Sequence, residues 1–339
     1  MPGPFAHMGV IRKLALSRNN KDYNLPSSLQ ELLNETEQGK GFDYCSLGSV
    51  SPDYPYFDWA NANAKKWADV MHYDATRNTI LKGVEYLTSI KDKPNYNLCK
   101  AWFLGYVAHL ITDMVIHPVV ECIIGVYKFH KDDHRSCEMH QDSFIWKQLT
   151  GLEICEDDYI DKTLKACSPK GSLNQDVIQL WKVMLDRANT AEYVSNTPDP
   201  NKWHDFYANQ LDIAIDLEEL RKVHLLLKAI VHQKADRNEL FYPFSKDVAD
   251  EYIKEILLPP WKNWRAEGEA LPIPADCSGK GYYYDAYFYA CRMVRKYWLM
   301  IEDALNDKKE ELNLNLDNWN LDTGRSNQSL KYAFWPQGL

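Results

Sequence analysis

The chain has 339 residues, a formal net charge of -9 and 13% aromatic residues, with 11 Trp and 21 Tyr. That acidic balance gives no electrostatic reason to expect nucleic acid or an anionic membrane surface as main partner, since polyanions are held by clusters of lysine and arginine. The length suits one large core or two ordinary ones.

The start, Met-Pro-Gly-Pro-Phe-Ala-His, has no basic stretch followed by an apolar one, so no secretory signal is read and a cytoplasmic protein is expected. Eight cysteines are scattered without a Cys-x-x-Cys spacing, which points to buried thiols and not to a thiolate zinc site or a disulfide scaffold.

In chain order, His7 precedes Met8 to Leu16, whose apolar spacing predicts an amphipathic helix. Pro26-Ser27-Ser28 opens a short helix through Leu33. Leu47 to Tyr56 reads as a loop from its Gly, Ser and Pro content, with Asp53 either a turn residue or a functional carboxylate. A helix is predicted over about Ala60 to Leu87, placing His72 among Trp67, Val70 and Met71.

The run Lys100 to Glu121 is apolar except for His109, Asp113 and His117, which stand four residues apart. On a helix each such step turns about 40° and rises about 6 Å, so two imidazoles and a carboxylate line one stripe. Burying that stripe costs several kcal/mol unless each group is paired or bound to a metal. A hydrogen-bonded core histidine is the plain alternative. A membrane span is another, because the run approaches the ~20 residues needed. Four ionisable groups and Pro118 oppose it, so no integral membrane segment is expected. Pro118 is predicted to kink or end the helix, about Asn97 to His117, just after His117.

Further on, His134, Glu138 and Asp142 repeat the four-residue spacing, so two helices each offer a His and a carboxylate at i and i+4. Seven of the ten histidines fall within the first 140 residues, which favours a metal site. Beyond Cys155 the periodicity predicts helices over Asp157 to Lys165, Leu173 to Val194, Leu211 to Gln233, Ser245 to Leu258 and Tyr287 to Leu305. They are broken at Thr197 to Pro200, Leu258 to Pro260 and Leu271 to Pro274. His204, His224 and His232 read as core or surface. Gly281 to Tyr289 reads as aromatic core or pocket wall, and the chain after Glu311 as irregular. No run of alternating strands, phosphate-cradling Gly loop, His-Glu-x-x-His helix or Ser nucleophile elbow is present. The expected fold is all-α. It comprises one helical domain over 1–310, with a metal-ligand half at 1–155 and a helical completion at 156–310, followed by a tail at 311–339.

An N-terminal His, a Pro-Asp loop, a His on the next helix, then His-x-x-x-Asp, a further His and His-x-x-x-Glu occur here as His7, Asp53, His72, His109, Asp113, His117, His134 and Glu138. In order and approximate spacing this series resembles the zinc-dependent phospholipase C family, whose fold is shared with fungal single-strand-specific zinc nucleases. His109-x-x-x-Asp113-x-x-x-His117-Pro118 looks closer to the branch that includes glycosylphosphatidylinositol-specific phospholipase D. The resemblance implies one zinc held by His72, His109 and Asp113, and a second by His117, His134 and Glu138. It implies a third at His7 and a bridging Asp113, which the family completes with the N-terminal amine and carbonyl of the mature chain. It also implies that Asp53 orients or deprotonates the attacking water. Tyr54 matches the aromatic that cages a cationic head group in phospholipases, by cation–π contact. Asp69 stands where the family has another aromatic, and Trp67 is the nearby substitute.

The expectation is therefore a hydrolase of phosphodiesterase or phospholipase C type, using two or three Zn2+ ions and a metal-activated water on a phospholipid or small phosphodiester. Two alternatives stay open: the same metal cluster turned to non-phosphate Lewis-acid chemistry in a biosynthetic pathway, and a catalytically inactive, metal-stabilised binding protein.

Overall fold

The computed structural model describes residues 3–34, 40–58, 61–124, 127, 129–152, 157–168, 171–190, 193–215, 283–308 and 310–335. Among them are thirteen α-helices: α1 Pro4–Leu16, α2 Ser27–Leu32, α3 Gly41–Gly48, α4 Tyr54–Phe57, α5 Ala62–Asp69, α6 Thr76–Ser89, α7 Tyr96–Ile124, α8 Lys131–Thr150, α9 Tyr159–Cys167, α10 Gln175–Ala188, α11 Pro200–Ile215, α12 Tyr283–Leu305 and α13 Glu310–Asn315. A 3-10 turn occupies Ser51–Asp53 and a π-turn Val70–Asp74. One hairpin pairs β1, Trp319–Asn320, with β2, Arg325–Ser326. The fold class is all-α, as the periodicity leads one to expect.

The axis of the molecule is α7. Its sequence is apolar on every side, and a helix of that kind is stable only when surrounded. Every residue from Cys99 to Val120 is buried. By length and composition Tyr96–Glu121 is also apolar enough to cross a membrane, but its whole apolar window is covered by other elements of this chain. α3 crosses α7 on one side. α12 packs along another, where the Trp298 indole donates to the Leu104 carbonyl at 2.9 Å. α10 repeats Val177, Leu180, Trp181, Met184 and Leu185 at helical spacing and buries that face against α6.

Several local expectations are corrected. Leu47–Tyr56 is not an open loop: α3 runs to Gly48, and the hydroxyls of Ser49 and Ser51 donate to the Ser46 and Leu47 carbonyls at 2.7 and 2.8 Å, closing the helix end into a 3-10 turn and α4. The single helix expected over 60–87 is split by the π-turn and by Ala75, whose extended φ of -139 separates α5 from α6. Pro118 does not stop α7, which continues to Ile124. Proline deprives the Met114 carbonyl of its helical donor. Gly324 lies against that carbonyl, and the Trp335 indole donates to the neighbouring Val115 carbonyl at 2.9 Å, so packing from the C-terminal segment sustains the helix across the proline. The chain after Glu311 is not irregular throughout, since α13 and the hairpin form there and Leu312, Leu316, Trp319, Leu321 and Trp335 are buried. The stretch 159–167 is helical near the expected place, 175–188 is shorter than expected, and the last helix begins four residues early. Of the expected helix 211–233, residues 211–215 form the end of α11. The rest of it, with His224, His232, Ser245 to Leu258 and the breaks at 258–260 and 271–274, lies outside the described residues.

The α3–α7 crossing is close because Gly105 has no side chain. A Cβ there would stand 1.9 Å from the Cys45 carbonyl oxygen and 2.8 Å from the Ser49 nitrogen. Both obstacles are backbone, so α3 would have to move. Gly105→Ala is expected to destabilise the fold by about 1–3 kcal/mol, the usual range for overpacking. A guanidinium unfolding midpoint equal to that of wild type would show that the crossing is looser than described.

Candidate metal centre

The stripe on α7 projects into a space closed by four other elements. His109 Nε2 lies 3.4 Å from Asp113 Oδ2, one helical turn on. α1 brings His7, whose ring stacks on His109 with centroids 4.1 Å apart and whose Nε2 is 3.2 Å from Asp113 Oδ1. The π-turn presents His72, and the junction of the 3-10 turn with α4 presents Asp53. His72 Nε2 is 3.3 Å from Asp53 Oδ1 and 3.4 Å from His109 Nε2, while Asp53 Oδ1 is 3.6 Å from His109 Nε2. One turn further along α7, His117 Nε2 is 3.1 Å from Glu138 Oε1, and His134 Nε2, also from α8, is 2.9 Å from the same oxygen.

Eight side chains singled out in the sequence thus converge into three groups: His7, His109 and Asp113; Asp53, His72 and His109; and His117, His134 and Glu138. Within each, the ligand-type atoms lie within 4.8 Å of one another. The grouping differs from the one implied by the resemblance in two respects: Asp53, and not Asp113, stands with His72 and His109, its oxygen among the ring nitrogens, and His109 joins His7 and Asp113. Tyr54 and Trp67 lie elsewhere. Tyr54 is fully buried, stacked on Tyr207 at 4.2 Å with Trp181 and His204 around it. Trp67 is 2% exposed, its indole donating to the Asn196 carbonyl at 3.1 Å. Asp69 accepts from the Tyr56 hydroxyl at 3.3 Å. His204 is a buried ring beside the Ser168 hydroxyl.

Backbone carbonyls set the protons on the rings. Nδ1 of His109 faces the Ser49 carbonyl at 2.9 Å, Nδ1 of His72 faces the Ala68 carbonyl at 2.8 Å, and Nδ1 of His117 faces the Leu321 carbonyl. A carbonyl only accepts, so each neutral ring carries its hydrogen on Nδ1 and bares a lone pair at Nε2. With both rings neutral, the 3.4 Å approach of the His72 and His109 Nε2 atoms sets two lone pairs against each other, which is repulsive unless a proton or a metal ion lies between them. Both ring nitrogens of His7 and of His134, both Asp113 oxygens, His117 Nε2 and Asp53 Oδ1 are buried without a hydrogen bond among the described residues. Leaving so many polar atoms unsatisfied is costly. Nitrogen and carboxylate donors converging on shared points are the donor set zinc takes, so the residues fit that ion.

The electrostatics prepare the donors. Burial raises Asp113, yet His109, His117 and His7 outweigh it and hold the carboxyl below its ordinary range. The same contest, won by His109 and His72, lowers Asp53, and Glu138 is held well below the carboxylate norm with His134 the largest opposing cause. Burial, against the pull of Asp113, drives His109 down to about 4, and burial likewise lowers His134. His72 goes the other way, because Asp53 more than offsets its burial. At neutral pH the carboxylates are ionised and His109 and His134 are neutral, the protonation states that ligation requires.

Two contributors escaped the sequence reading. The Leu321 carbonyl is backbone, and no residue type marks a carbonyl. Asp142, noticed only for its spacing, accepts from the amides of Phe5 and Ala6 at 3.2 and 2.8 Å, fixing the first turn of α1 just ahead of His7. A helix start flanked by Gly3 and Pro4 has free N–H groups that attract a carboxylate, and that is the signal that would have found it.

Asp113 touches both His7 and His109, so Asp113→Ala is expected to remove at least one zinc per chain and lower the melting temperature together. Elemental analysis and a thermal scan check it; unchanged metal content and melting point would refute the shared role.

Comparison with known proteins agrees with this geometry. Residues 24–191 match the family described as zinc dependent phospholipase C. That span contains Asp53, His72, His109, Asp113, His117, His134 and Glu138, but neither His7 nor the C-terminal segment. Neither the curated proteins nor the solved structures include a match at the significance required. Through residues 24–191, this chain is similar to the zinc dependent phospholipase C family.

Proposed function

We propose that the protein is a zinc-dependent phosphoester hydrolase that cleaves a phospholipid or a related small phosphodiester in phospholipase C fashion, with two or three zinc ions at the three groups. The observation that carries this reading is the partial exposure of one carboxylate among the described residues of the centre. The side chains of His7, His72, His109, Asp113, His117 and His134 are 0% exposed and that of Glu138 is 2%, whereas Asp53 keeps 17%. A purely structural metal site is closed on all sides, while a catalytic one keeps a side accessible to water and substrate.

Zinc at such a centre supplies Lewis acidity, lowering the pKa of water toward neutrality and offsetting the charge that grows on a phosphoryl oxygen. The protein's own groups supply the rest. His7, His72, His109, His117 and His134, with Asp113 and Glu138, hold the centre. Asp53, ionised and placed where solvent reaches it, orients the attacking water and accepts its proton. Water adds to phosphorus, the ester oxygen leaves, and that oxygen takes up a proton to give an alcohol and a phosphomonoester. Tyr54 and Trp67 serve this reading from within: their packing holds the turns that carry Asp53 and His72. α13 packs on α12 and the hairpin on the π-turn, which supports reading them as part of the same unit.

Asp53→Asn keeps an oxygen at the same place and removes the base. Zinc content is expected to stay near wild type while kcat falls by about 10² to 10⁴ with little change in KM. Equal kcat in the two proteins, on a phosphodiester the wild type cleaves, would refute the role of Asp53. A zinc-loaded wild type inert on a broad panel of phosphodiesters would refute phosphoester hydrolysis itself.

A further inference from the structure

Residues 319–326 contribute no side chain to the three groups, yet their backbone reaches two of them. The Leu321 carbonyl accepts from His117 Nδ1, and the Leu321 amide donates to the His72 carbonyl at 2.9 Å. One residue therefore orients the His117 ring and pins the turn that carries His72, and these two belong to different groups.

The hairpin is fastened around that point. The Trp319 amide donates to the Thr76 hydroxyl at 2.6 Å, and the Tyr73 hydroxyl to Asp322 Oδ2 at 2.9 Å. Arg325 pairs with Glu121 of α7 at 2.9 Å, one turn beyond His117. Gly324 has φ +64, and a Cβ there would stand 2.3 Å from Pro118 Cγ and 2.7 Å from the Met114 carbonyl oxygen. Backbone conformation and space both demand glycine, because the hairpin lies directly on the turn of α7 that holds His117.

We propose that residues 319–326 form a strap that positions His72 and His117, and that its docking is linked to metal binding. The proposal rests on the zinc reading of the centre. Its physical basis is the shared imidazole. A ring that ligates through Nε2 becomes a stronger donor at Nδ1, and a carbonyl held at Nδ1 keeps Nε2 bare and aimed. Linkage makes the effect reciprocal: a docked strap tightens metal binding by the factor by which metal tightens docking. Leu321 acts as a positioning residue through its main chain, so a side-chain substitution at that position is a poor probe.

Gly324→Ala in the full chain lifts the strap without touching a ligand. Zinc affinity, measured by competition with a chelator, is expected to fall about 10- to 100-fold, the usual effect of losing a partner that orients a ligand. Nitrogen-15 spectra of labelled histidine should show His117 losing its single Nδ1-protonated form. Leu180→Ala opens a cavity in the buried face of α10 and is expected to lower stability while leaving both readouts at wild-type values. In the wild type, zinc should slow hydrogen exchange at the Leu321 amide more than at the amides of α10, and this measurement decides if Gly324→Ala does not fold. If the wild type binds zinc but Gly324→Ala binds it equally well, or the Leu321 amide exchanges alike with and without zinc, the strap is wrong and the zinc reading stands. A wild type that binds no zinc overturns both.

Discussion

Everything in this molecule turns on a buried excess of lone pairs. Asp53, Asp113 and Glu138 bring ionised oxygens to one space, and His72, His109 and His117 turn bare ring nitrogens toward the same space. Such a cluster is expensive by itself, since charge removed from water must be compensated nearby. The histidines lower the carboxylates, and burial keeps His109 and His134 from taking protons to balance them. A divalent cation would compensate several of these lone pairs at once, including the His72 and His109 nitrogens that face one another at 3.4 Å.

Holding that arrangement without collapse is the task of the helices. α7 supplies three of the donors because its apolar surround keeps it central, and four elements close on its stripe from different directions. Three of the rings, His109, His72 and His117, are then fixed at their far ends by main-chain carbonyls from different parts of the chain: Ser49 at the end of α3, Ala68 one turn before His72, and Leu321 in the hairpin. Carbonyls suit this purpose because they have one fixed direction and no rotamer to lose. The irregular turns follow from the same need. A π-turn at His72 lets that ring fold back on its own helix, and π-turns recur at functional sites for this reason.

The sequence disclosed the converging side chains far better than their supports. Spacing of four residues on an apolar helix is a strong sign, because a stripe such as His109, Asp113 and His117 has few uses in a core. The helical character of α1, α7, α8, α10 and α12 was legible from periodicity. What stayed hidden was whatever depends on backbone atoms or on distant contacts. Pro118 carries a local instruction to stop the helix, and only the packing of Gly324 and Trp335, more than 200 residues away, explains why α7 goes on. Tyr54 follows Asp53 in sequence, which suggests a shared pocket. The turn from 3-10 to α4 sends the two side chains apart, the carboxylate to the centre and the ring into the core against Tyr207.

The span of the family match makes physical sense in this light. Residues 24–191 hold most of the donors, and a donor must be one of a few residue types at one position, which leaves a readable trace. The ends of the chain contribute differently. The first helix offers a single ring, His7, on a helix that Asp142 seats through main-chain amides. The C-terminal segment offers a carbonyl and an amide from Leu321, which any residue except proline could present. Demands of that kind fall on the path of the backbone and on a few packing positions such as Gly324. A segment under so loose a demand can bear on the electrostatics of the centre while carrying almost no signature of it.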